Sequence, residues 1–145
     1  MPREIINTPI GNLEILNYND WIKDIQFTEA EITKNSYFQK SFDAYFKGGS
    51  KVIKCLHKQH GTDFQLKVWE ELQKIPYGET RTYAEIAKAI GHPKSCRAVA
   101  NACGQNKLAI LVPCHRVVGK DNLGGYKWGI DKKKWLLNLE KQNKN

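Results

Sequence analysis

Long apolar runs are absent from this sequence. No apolar stretch approaches the roughly 20 residues that a membrane-spanning helix requires. The first residues, MPREIINTPIG, include a glutamate and lack the apolar core of a secretory signal. These absences lead us to expect a cytoplasmic protein that has no membrane partner.

Cysteine pairs of the CxxC form are also absent. Four cysteines stand alone in the chain, at Cys55, Cys96, Cys103 and Cys114. In a reducing compartment we expect free thiols rather than disulfides. His57 and His60 lie near Cys55, but their spacing is poor and no second ligand pair follows. The pattern favours a surface role for these residues, and we expect no bound metal.

Acidic residues are scarce in the second part of the chain. Residues 1–57 hold seven basic and seven acidic side chains, whereas residues 58–145 hold sixteen basic and eight acidic ones, which is the whole formal charge of +8. This asymmetry suggests that the second part meets a polyanion, although a soluble basic surface would have the same composition. The length of 145 residues suits one domain, or a small domain fused to a larger one.

The first part has the pattern of a small α/β module. Runs rich in β-branched and aromatic residues predict strands over Glu4–Thr8, Leu13–Tyr18 and Trp21–Thr28. Ser36–Lys47 predicts a helix with an aromatic stripe that we expect in the core. Its members are Tyr37, Phe38, Phe42, Tyr45 and Phe46.

The second part is predicted to be mostly helical. Thr62–Gln65 and Thr82–Glu85 have the form of capping boxes, which begin helices by satisfying their free amides. The first helix should reach about Lys74, and a third should run from Cys96 to about Cys103 with Ser95 as its cap. The last two helices and their short turn form a helix-turn-helix pattern, which DNA-binding proteins share with unrelated helical proteins.

The third predicted helix carries small residues and a single long one, Arg97. Groove-reading helices usually present several long polar side chains to base edges. Small residues instead allow close approach, either to a narrow minor groove, with Arg97 as a wedge in the base stack, or to a protein core. The residues alone leave both interpretations open.

Cys114 follows an apolar run, Leu108–Val112, and Pro113, which predict a buried segment. A thiol is a good nucleophile only as a thiolate. His115 and Arg116 would place an imidazole and a cation beside the sulfur. Most cysteines in such settings are inert core residues, so these neighbours alone do not decide for reactivity.

The segment Pro113–Val117 reads PCHRV and is similar to the signature of the O6-alkylguanine-DNA alkyltransferases, also called methylated-DNA–protein-cysteine methyltransferases. Other stretches resemble that family at its spacing, mainly between Gly61 and Glu140. They are Thr62–Trp69, Pro76–Gly78, Thr82–Tyr83, Arg97–Val99, Asn106, Gly125–Tyr126 and Trp135–Glu140, with weaker matches at Thr8–Gly11 and Tyr45–Gly48.

The resemblance implies catalytic roles for five residues. Cys114 would accept the alkyl group, with His115 as its base through a bound water and Glu140 orienting the imidazole. Asn106 would fix the turn from the DNA-binding helix to the active-site strand. Tyr83 would contact the extruded nucleotide and assist proton transfer to the leaving guanine.

The resemblance also implies the rest of the site. Arg97 would fill the gap left by a flipped base, since the O6 substituent is otherwise out of the thiol's reach. Carbonyl groups of Cys114 and Val117 would read the guanine edge. DNA contacts would come from Ser95, Tyr83, Arg97, Ala98 and Ala102, and the substrate pocket would be formed by Pro113, Val117, Tyr126, Lys127 and Trp128.

The implied fold class is α+β: a small module with a three-stranded sheet and a helix at residues 1–57, then a mostly helical, winged helix-turn-helix-like domain at residues 58–145. The implied function is DNA repair by irreversible, single-turnover alkyl transfer from O6-alkylguanine in duplex DNA. O4-alkylthymine is left open as a second substrate. We expect a monomer without cofactor.

Some features depart from the family pattern. No cysteine precedes Cys55, so the structural zinc of some members is not expected. Cys103 stands where some members place a methionine, and Trp128 stands where several have a small residue, which we interpret as narrowing the pocket in favour of methyl over benzyl groups. Lys132–Lys134 is interpreted as a solvated helix face near DNA.

Three alternatives remain. A non-catalytic lesion sensor would bind the same DNA, but such relatives usually have tryptophan in place of the acceptor cysteine. A helix-turn-helix regulator would add a sensing or dimerisation domain, for which the first part offers no evident effector site. A thiol hydrolase would need an oxyanion hole, which nothing around Cys114 suggests.

Overall fold

The computed structural model describes residues 3–19 and 21–144, and the chain divides into two compact units. The first unit runs to Gln59 and takes in Lys107–Ala109, and the second holds the rest. The break therefore lies two residues after the predicted boundary, and three later residues join the first unit. They do so because the Ile25 amide donates to the Lys107 carbonyl (2.7 Å) and the Lys107 amide donates to Gln59 Oε1 (2.9 Å).

The first unit is built on a four-stranded sheet. Its strands, in sheet order, are β1 (Arg3–Ile6), β2 (Asn12–Tyr18), β3 (Trp21–Thr28) and β4 (Leu56–His57). The first three are antiparallel, and β4 joins β3 in parallel. Three strands were predicted at close to these positions, whereas β4 was missed because two residues show no periodicity. The fully buried strand side chains are Ile6, Leu13, Ile15, Ile22 and Ile25.

Helix α1 (Gln39–Phe46) provides most of the aromatic core of the first unit. Phe42, Tyr45 and Phe46 are buried as predicted, and Phe38 is buried just before the helix. Tyr37 was also predicted in the core, but it is 80% exposed. The prediction was wrong because the helix begins later than expected, so that Tyr37 lies outside the helical period.

The described residues of the second unit form four α-helices and one short two-stranded sheet. The helices are α2 (Asp63–Leu72), α3 (Tyr83–Ala89), α4 (Cys96–Gly104) and α5 (Ile130–Gln142), and the parallel strands are β5 (Arg81–Thr82) and β6 (Val117–Val118). Together with the first unit's sheet, they confirm the α+β class. Within the described residues, no helix is long and apolar enough to cross a membrane.

Local chemistry explains where two of these helices begin. Thr62 caps α2 and Thr82 caps α3, and in each case the side chain three residues later returns a hydrogen bond, so both predicted capping boxes are confirmed. Ser95 was predicted to cap α4 but makes no side-chain cap hydrogen bond, and its φ of −107° with ψ of 33° differs from the extended geometry of a capping residue.

The core of the second unit joins α2, α3, α4 and α5. Its buried side chains include Val68, Trp69, Leu72, Ile86, Ala87, Val99, Ala102 and Leu136. The Trp69 indole N–H donates to the Ala102 carbonyl at 2.9 Å, which fixes α2 against α4. Each large aliphatic side chain buried here stabilises the fold by about 1.5–3 kcal/mol. Phe64, in the first turn of α2, is only half-buried.

Candidate active site

Cys114 begins a 3-10 helix, Cys114–Arg116, and its thiol is buried. The Asn106 side-chain amide donates to Val112 O (2.8 Å) and to the Cys114 sulfur (3.4 Å). Burial raises the pKa of the Cys114 thiol to about 11, against the opposing effects of the Asn106 hydrogen bond and the charges of Lys133 and Lys127. The resting sulfur is therefore a protonated thiol at neutral pH.

His115 is fully buried against Glu140. The imidazole Nε2 lies 2.8 Å from Glu140 Oε2, and because a carboxylate only accepts hydrogen bonds, Nε2 carries the proton and Nδ1 presents a lone pair. Among the described residues Nδ1 has no hydrogen-bond partner. Burial lowers the pKa of His115 more than the hydrogen bond that it donates to Glu140 raises it. A neutral imidazole with a free basic nitrogen is thus held next to Cys114.

Arg116 completes the buried ion pair behind the imidazole. Its Nε and Nη2 donate to the two oxygens of Glu140 at 2.7 and 2.9 Å, and its Nη1 donates to Ile75 O at 2.9 Å. Burial alone would raise the pKa of Glu140, but hydrogen bonds from His115 and Arg116 hold it well below its usual range. Arg116 was expected to act on the sulfur as a neighbouring cation, whereas it is committed to Glu140.

Lys133 is a buried cation, although its segment was predicted to be exposed to solvent. The segment Lys132–Lys134 was interpreted as a solvated face, but Lys133 is 0% exposed. Its Nζ donates to Val117 O (2.6 Å) and Gly125 O (2.9 Å). The signal for its position was helical spacing: Lys133 lies seven residues before Glu140 on α5, and residues two turns apart share a face.

The Cys114 thiol opens on a cavity of about 160 Å³. Its lining consists of Tyr83, Ala100, Cys103, Gly104, Cys114, Gly125, Tyr126 and Lys127. Of the five predicted pocket residues, Tyr126 and Lys127 lie in this wall, and Pro113, Val117 and Trp128 do not. Trp128 instead packs edge-on against Tyr126, with ring centroids 5.2 Å apart. Lining contributed by the end of α4 was not foreseen, apart from Cys103.

Tyr83 opens α3 and reaches the cavity across Gly124. A Cβ atom on Gly124 would lie 2.5 Å from the Tyr83 hydroxyl oxygen, and the φ of +70° there also favours glycine. Burial raises the pKa of Tyr83, as do the nearby Cys103 and Cys114 sulfurs, and a hydrogen bond with the Gly125 backbone opposes them. The phenol is therefore a neutral hydrogen-bond donor at the cavity.

The chain between Asn106 and Cys114 is a turn, and the buried segment predicted at Leu108–Val112 is confirmed apart from the half-buried Leu111. Ile110 adopts a φ of +72°, a conformation that β-branched residues rarely accept. The Asn106 side chain supports this segment through its hydrogen bond to Val112 O. Asn106 thus both shapes the turn and contacts the nucleophile.

The two carbonyl groups expected to read guanine already have internal partners. The Val117 amide donates to Cys114 O, and Lys133 donates to Val117 O. A carbonyl oxygen can accept a second hydrogen bond, so these contacts orient both groups without excluding a ligand.

The exposed face of α4 carries Arg97 and Ala98, whereas Ser95 is half-buried at the start of the helix. Ala102 was expected to contact DNA, but it is 1% exposed. The reason is its position: Val99, Ala102 and Cys103 form the inner face of α4. One face of α4 therefore packs in the core, as the second interpretation of its small residues requires. The opposite face, with Arg97 and Ala98, is exposed to solvent and remains available for DNA.

Comparisons with known proteins place these residues in a family. The family model described as the 6-O-methylguanine DNA methyltransferase DNA-binding domain matches residues 63–142. A probable methylated-DNA–protein-cysteine methyltransferase of Acanthamoeba polyphaga mimivirus is 49% identical over 147 residues, with 99% of each chain covered. A methylated-DNA–protein-cysteine methyltransferase of Methanosarcina acetivorans is 42% identical over 149 residues, covering 94% of this chain and 96% of its own.

A solved structure agrees with these sequence matches. The crystal structure of Mycobacterium tuberculosis OGT in complex with DNA has a TM-score of 0.88 and 39% identity, covering 97% of this chain and 93% of that chain. The described residues contain no group of three or more histidine, cysteine, aspartate or glutamate side chains placed to hold a metal ion. The chain belongs to the methylated-DNA–protein-cysteine methyltransferase family.

Proposed function

We propose that this protein repairs DNA by direct reversal, moving a methyl group from O6 of guanine in duplex DNA onto Cys114. The observation that carries the proposal is that the Cys114 thiol lines a cavity of about 160 Å³ and is followed in the chain by the buried His115–Glu140 pair. A nucleophile, a base and a group that orients the base are the components of covalent catalysis. The names of the relatives, and the neighbour solved with DNA, support the same reaction.

The proposed chemistry begins with proton removal from a neutral thiol. The Cys114 proton passes to His115 Nδ1, directly or through one water, as the sulfur attacks the alkyl carbon in line. The carbon–O6 bond breaks with its electron pair passing to guanine, and Tyr83 donates a proton to the leaving guanine. The proton held on His115 then returns through solvent to the Tyr83 oxygen. The net reaction converts thiol and O6-methylguanine into S-methylcysteine and guanine.

Buried charges would lower the cost of this proton transfer. Glu140 stabilises the imidazolium that forms on His115, and Arg116 keeps Glu140 ionised. Lys133 adds a fixed positive charge whose field favours the thiolate over the thiol. In a site that excludes water, such preorganised charges act more strongly than in solution.

The DNA side of the proposal rests on α4. Arg97 and Ala98 occupy its exposed face, where a small residue permits close approach and an arginine can fill the space of an extruded base. Ser95 and Tyr83 would contact the same strand near the cavity. We propose that a monomer binds and that it acts in the cytoplasm, where the reducing environment keeps Cys114 free to react.

Repair would occur once per molecule. A thioether is a poor leaving group, and no described residue offers a device that regenerates the thiol. The non-catalytic sensor is disfavoured because Cys114, His115 and Glu140 are present and assembled.

Stoichiometry is the test of this proposal. Excess duplex carrying O6-methylguanine is mixed with increasing protein, and the remaining lesion is quantified after DNA hydrolysis. We expect one lesion lost per protein molecule, with no further loss over time. Continued turnover would contradict irreversible transfer to cysteine, and tight binding without lesion loss would indicate a sensor.

Trp128 was predicted to narrow the substrate pocket, and in this structure it can do so only indirectly, through Tyr126. Since Trp128 packs on Tyr126 rather than lining the cavity, we propose that it limits how far Tyr126 can move to admit a larger group. Trp128→Gly should raise the rate with a benzyl adduct more than the rate with a methyl adduct. An unchanged ratio of the two rates would contradict the proposal.

A further inference from the structure

The cavity at Cys114 has an asymmetric charge. Of its eight lining residues, Lys127 is the only one with a side chain that is charged at neutral pH, and no carboxylate lies in the wall. The buried Lys133 adds positive potential from behind, although its Nζ is committed to two carbonyl groups. The pocket wall therefore favours an anion over a cation or a neutral group of the same size.

Lys127 is oriented by its neighbour. Its Nζ lies 5.2 Å from the centroid of the Trp128 ring, a cation–π distance. Its charge also reaches the Cys114 sulfur, where it favours the ionised form. Lys127 thus belongs to the cavity wall, and its positive charge lies near enough to act on the Cys114 sulfur.

We propose that Lys127 makes the pocket selective for O6 adducts that carry an anionic substituent, with the carboxymethyl group as the smallest example. This inference rests on the proposed function. In such an adduct the carboxylate is bonded to the same carbon that Cys114 attacks. It must therefore lie close to the sulfur, within the reach of the cation that lines the wall.

Transfer of an anionic group has an electrostatic barrier that transfer of a methyl group lacks. The forming thiolate and the adduct carboxylate are like charges on either side of the attacked carbon, and their repulsion raises the barrier unless a cation offsets it. The step itself balances: the sulfur–carbon bond forms, the carbon–O6 bond breaks with its electron pair passing to guanine, and S-carboxymethylcysteine remains. No co-reactant is needed.

A contact between Lys127 and a DNA phosphate would have a different signature. Phosphate contacts strengthen binding of every lesion alike, so they change all transfer rates by a common factor. Selectivity in the pocket changes the ratio between adducts of equal size and different charge. The carboxymethyl and carbamoylmethyl groups form such a pair, since an amide replaces the carboxylate with almost no change in shape.

The experiment measures single-turnover transfer to Cys114 from duplexes carrying O6-carboxymethylguanine or O6-carbamoylmethylguanine. In Lys127→Gln we expect the ratio of the two rates to fall about fivefold, at the upper end of what a partly exposed ion pair contributes. Lys127→Arg should retain the wild-type ratio, and Lys127→Glu should lower it further. Added salt should lower it in the wild type.

Lys120→Gln is the matched control, because it removes one positive charge from an exposed loop residue that does not line the cavity. We expect its ratio to equal that of the wild type. An unchanged ratio in Lys127→Gln, or an equal fall in Lys120→Gln, would overturn the proposal. Wild-type transfer from O6-methylguanine is measured alongside: its absence would refute the proposed function, whereas its presence without the charge preference would refute only the role of Lys127.

Discussion

At the scale of single residues, the site combines a thiol that is hard to ionise with a base that is hard to protonate. Burial raises the pKa of Cys114 and lowers that of His115, so both groups are neutral at rest. A buried neutral thiol resists adventitious alkylation, because the thiolate is the reactive form. Reactivity would then arise only when a substrate carbon is in place and the proton can move.

The neutral resting pair predicts the pH profile. His115 must be neutral to accept a proton, and its pKa lies below 6.5, so the transfer rate at pH 6.5 should exceed half of its plateau and should fall as the pH falls further. Between pH 7 and 9 the rate should be flat. If a preformed thiolate reacted, the rate would rise about tenfold per unit toward the Cys114 pKa of about 11. Single-turnover rates from pH 5 to 9 distinguish the two.

Lys133 gives a second prediction at this scale. Lys133→Met keeps an unbranched apolar side chain, one atom shorter, but removes the donor to the Val117 and Gly125 carbonyls. We expect transfer to slow at least tenfold and the free energy of unfolding to fall by about 1–3 kcal/mol, the cost of a buried group left without its hydrogen bond. Lys134→Met, on the exposed face of α5, should change neither quantity. Equal effects of the two substitutions would contradict the account.

At the scale of elements, the sequence predicted where helices begin but not which face of each helix packs in the core. The capping boxes at Thr62 and Thr82 were predictable because all of their hydrogen-bonding partners lie within four consecutive residues. The burial of Ala102 and Lys133 was missed because it depends on which face of a helix meets the core, a tertiary property. Helical spacing from Glu140 would have found Lys133, since seven residues make two turns.

Thr82 and Ser95 were both predicted to cap helices, but their replacement by alanine should change the free energy of unfolding by different amounts. The Thr82 hydroxyl accepts from the Glu85 amide at the start of α3, so Thr82→Ala should destabilise the protein by about 1 kcal/mol. Ser95 makes no such bond at the start of α4, and Ser95→Ala should stay within about 0.5 kcal/mol. Denaturant unfolding of both variants measures the difference. A similar loss in both would mean that Ser95 caps its helix after all.

At the scale of the whole molecule, the charge asymmetry and the two units were predictable, but the return of residues 107–109 to the first unit was not. The Lys107 hydrogen bonds that fix this segment join residues far apart in sequence. No local sequence pattern predicts such contacts. Family resemblance supplied Cys114, His115 and Glu140, which the residues alone left undecided. The commitment of Arg116 to Glu140 required the structure.

The basic charge of residues 58–145 predicts how DNA binding responds to salt. Each phosphate contact contributes a slope of about −0.9 to the logarithm of affinity against the logarithm of salt concentration. Two contacts already imply a loss of about tenfold between 50 and 200 mM salt, and we expect at least that. The same slope should hold for damaged and undamaged duplexes. Fluorescence anisotropy at several salt concentrations measures it, and a salt-independent affinity would contradict binding through the phosphate backbone.

The central claim is that Cys114 itself becomes alkylated. Intact-mass measurement after mixing with a duplex carrying one O6-methylguanine tests it most directly, with Cys114→Ala as the inactive variant and Cys55→Ala and Cys96→Ala as controls whose thiols lie outside the cavity lining. The account predicts that the wild type and both controls gain one methyl group in place of a hydrogen, on the peptide that contains Cys114, and that Cys114→Ala gains none. A methyl group on any other residue, or no gain in mass despite tight binding of the lesion, would contradict it.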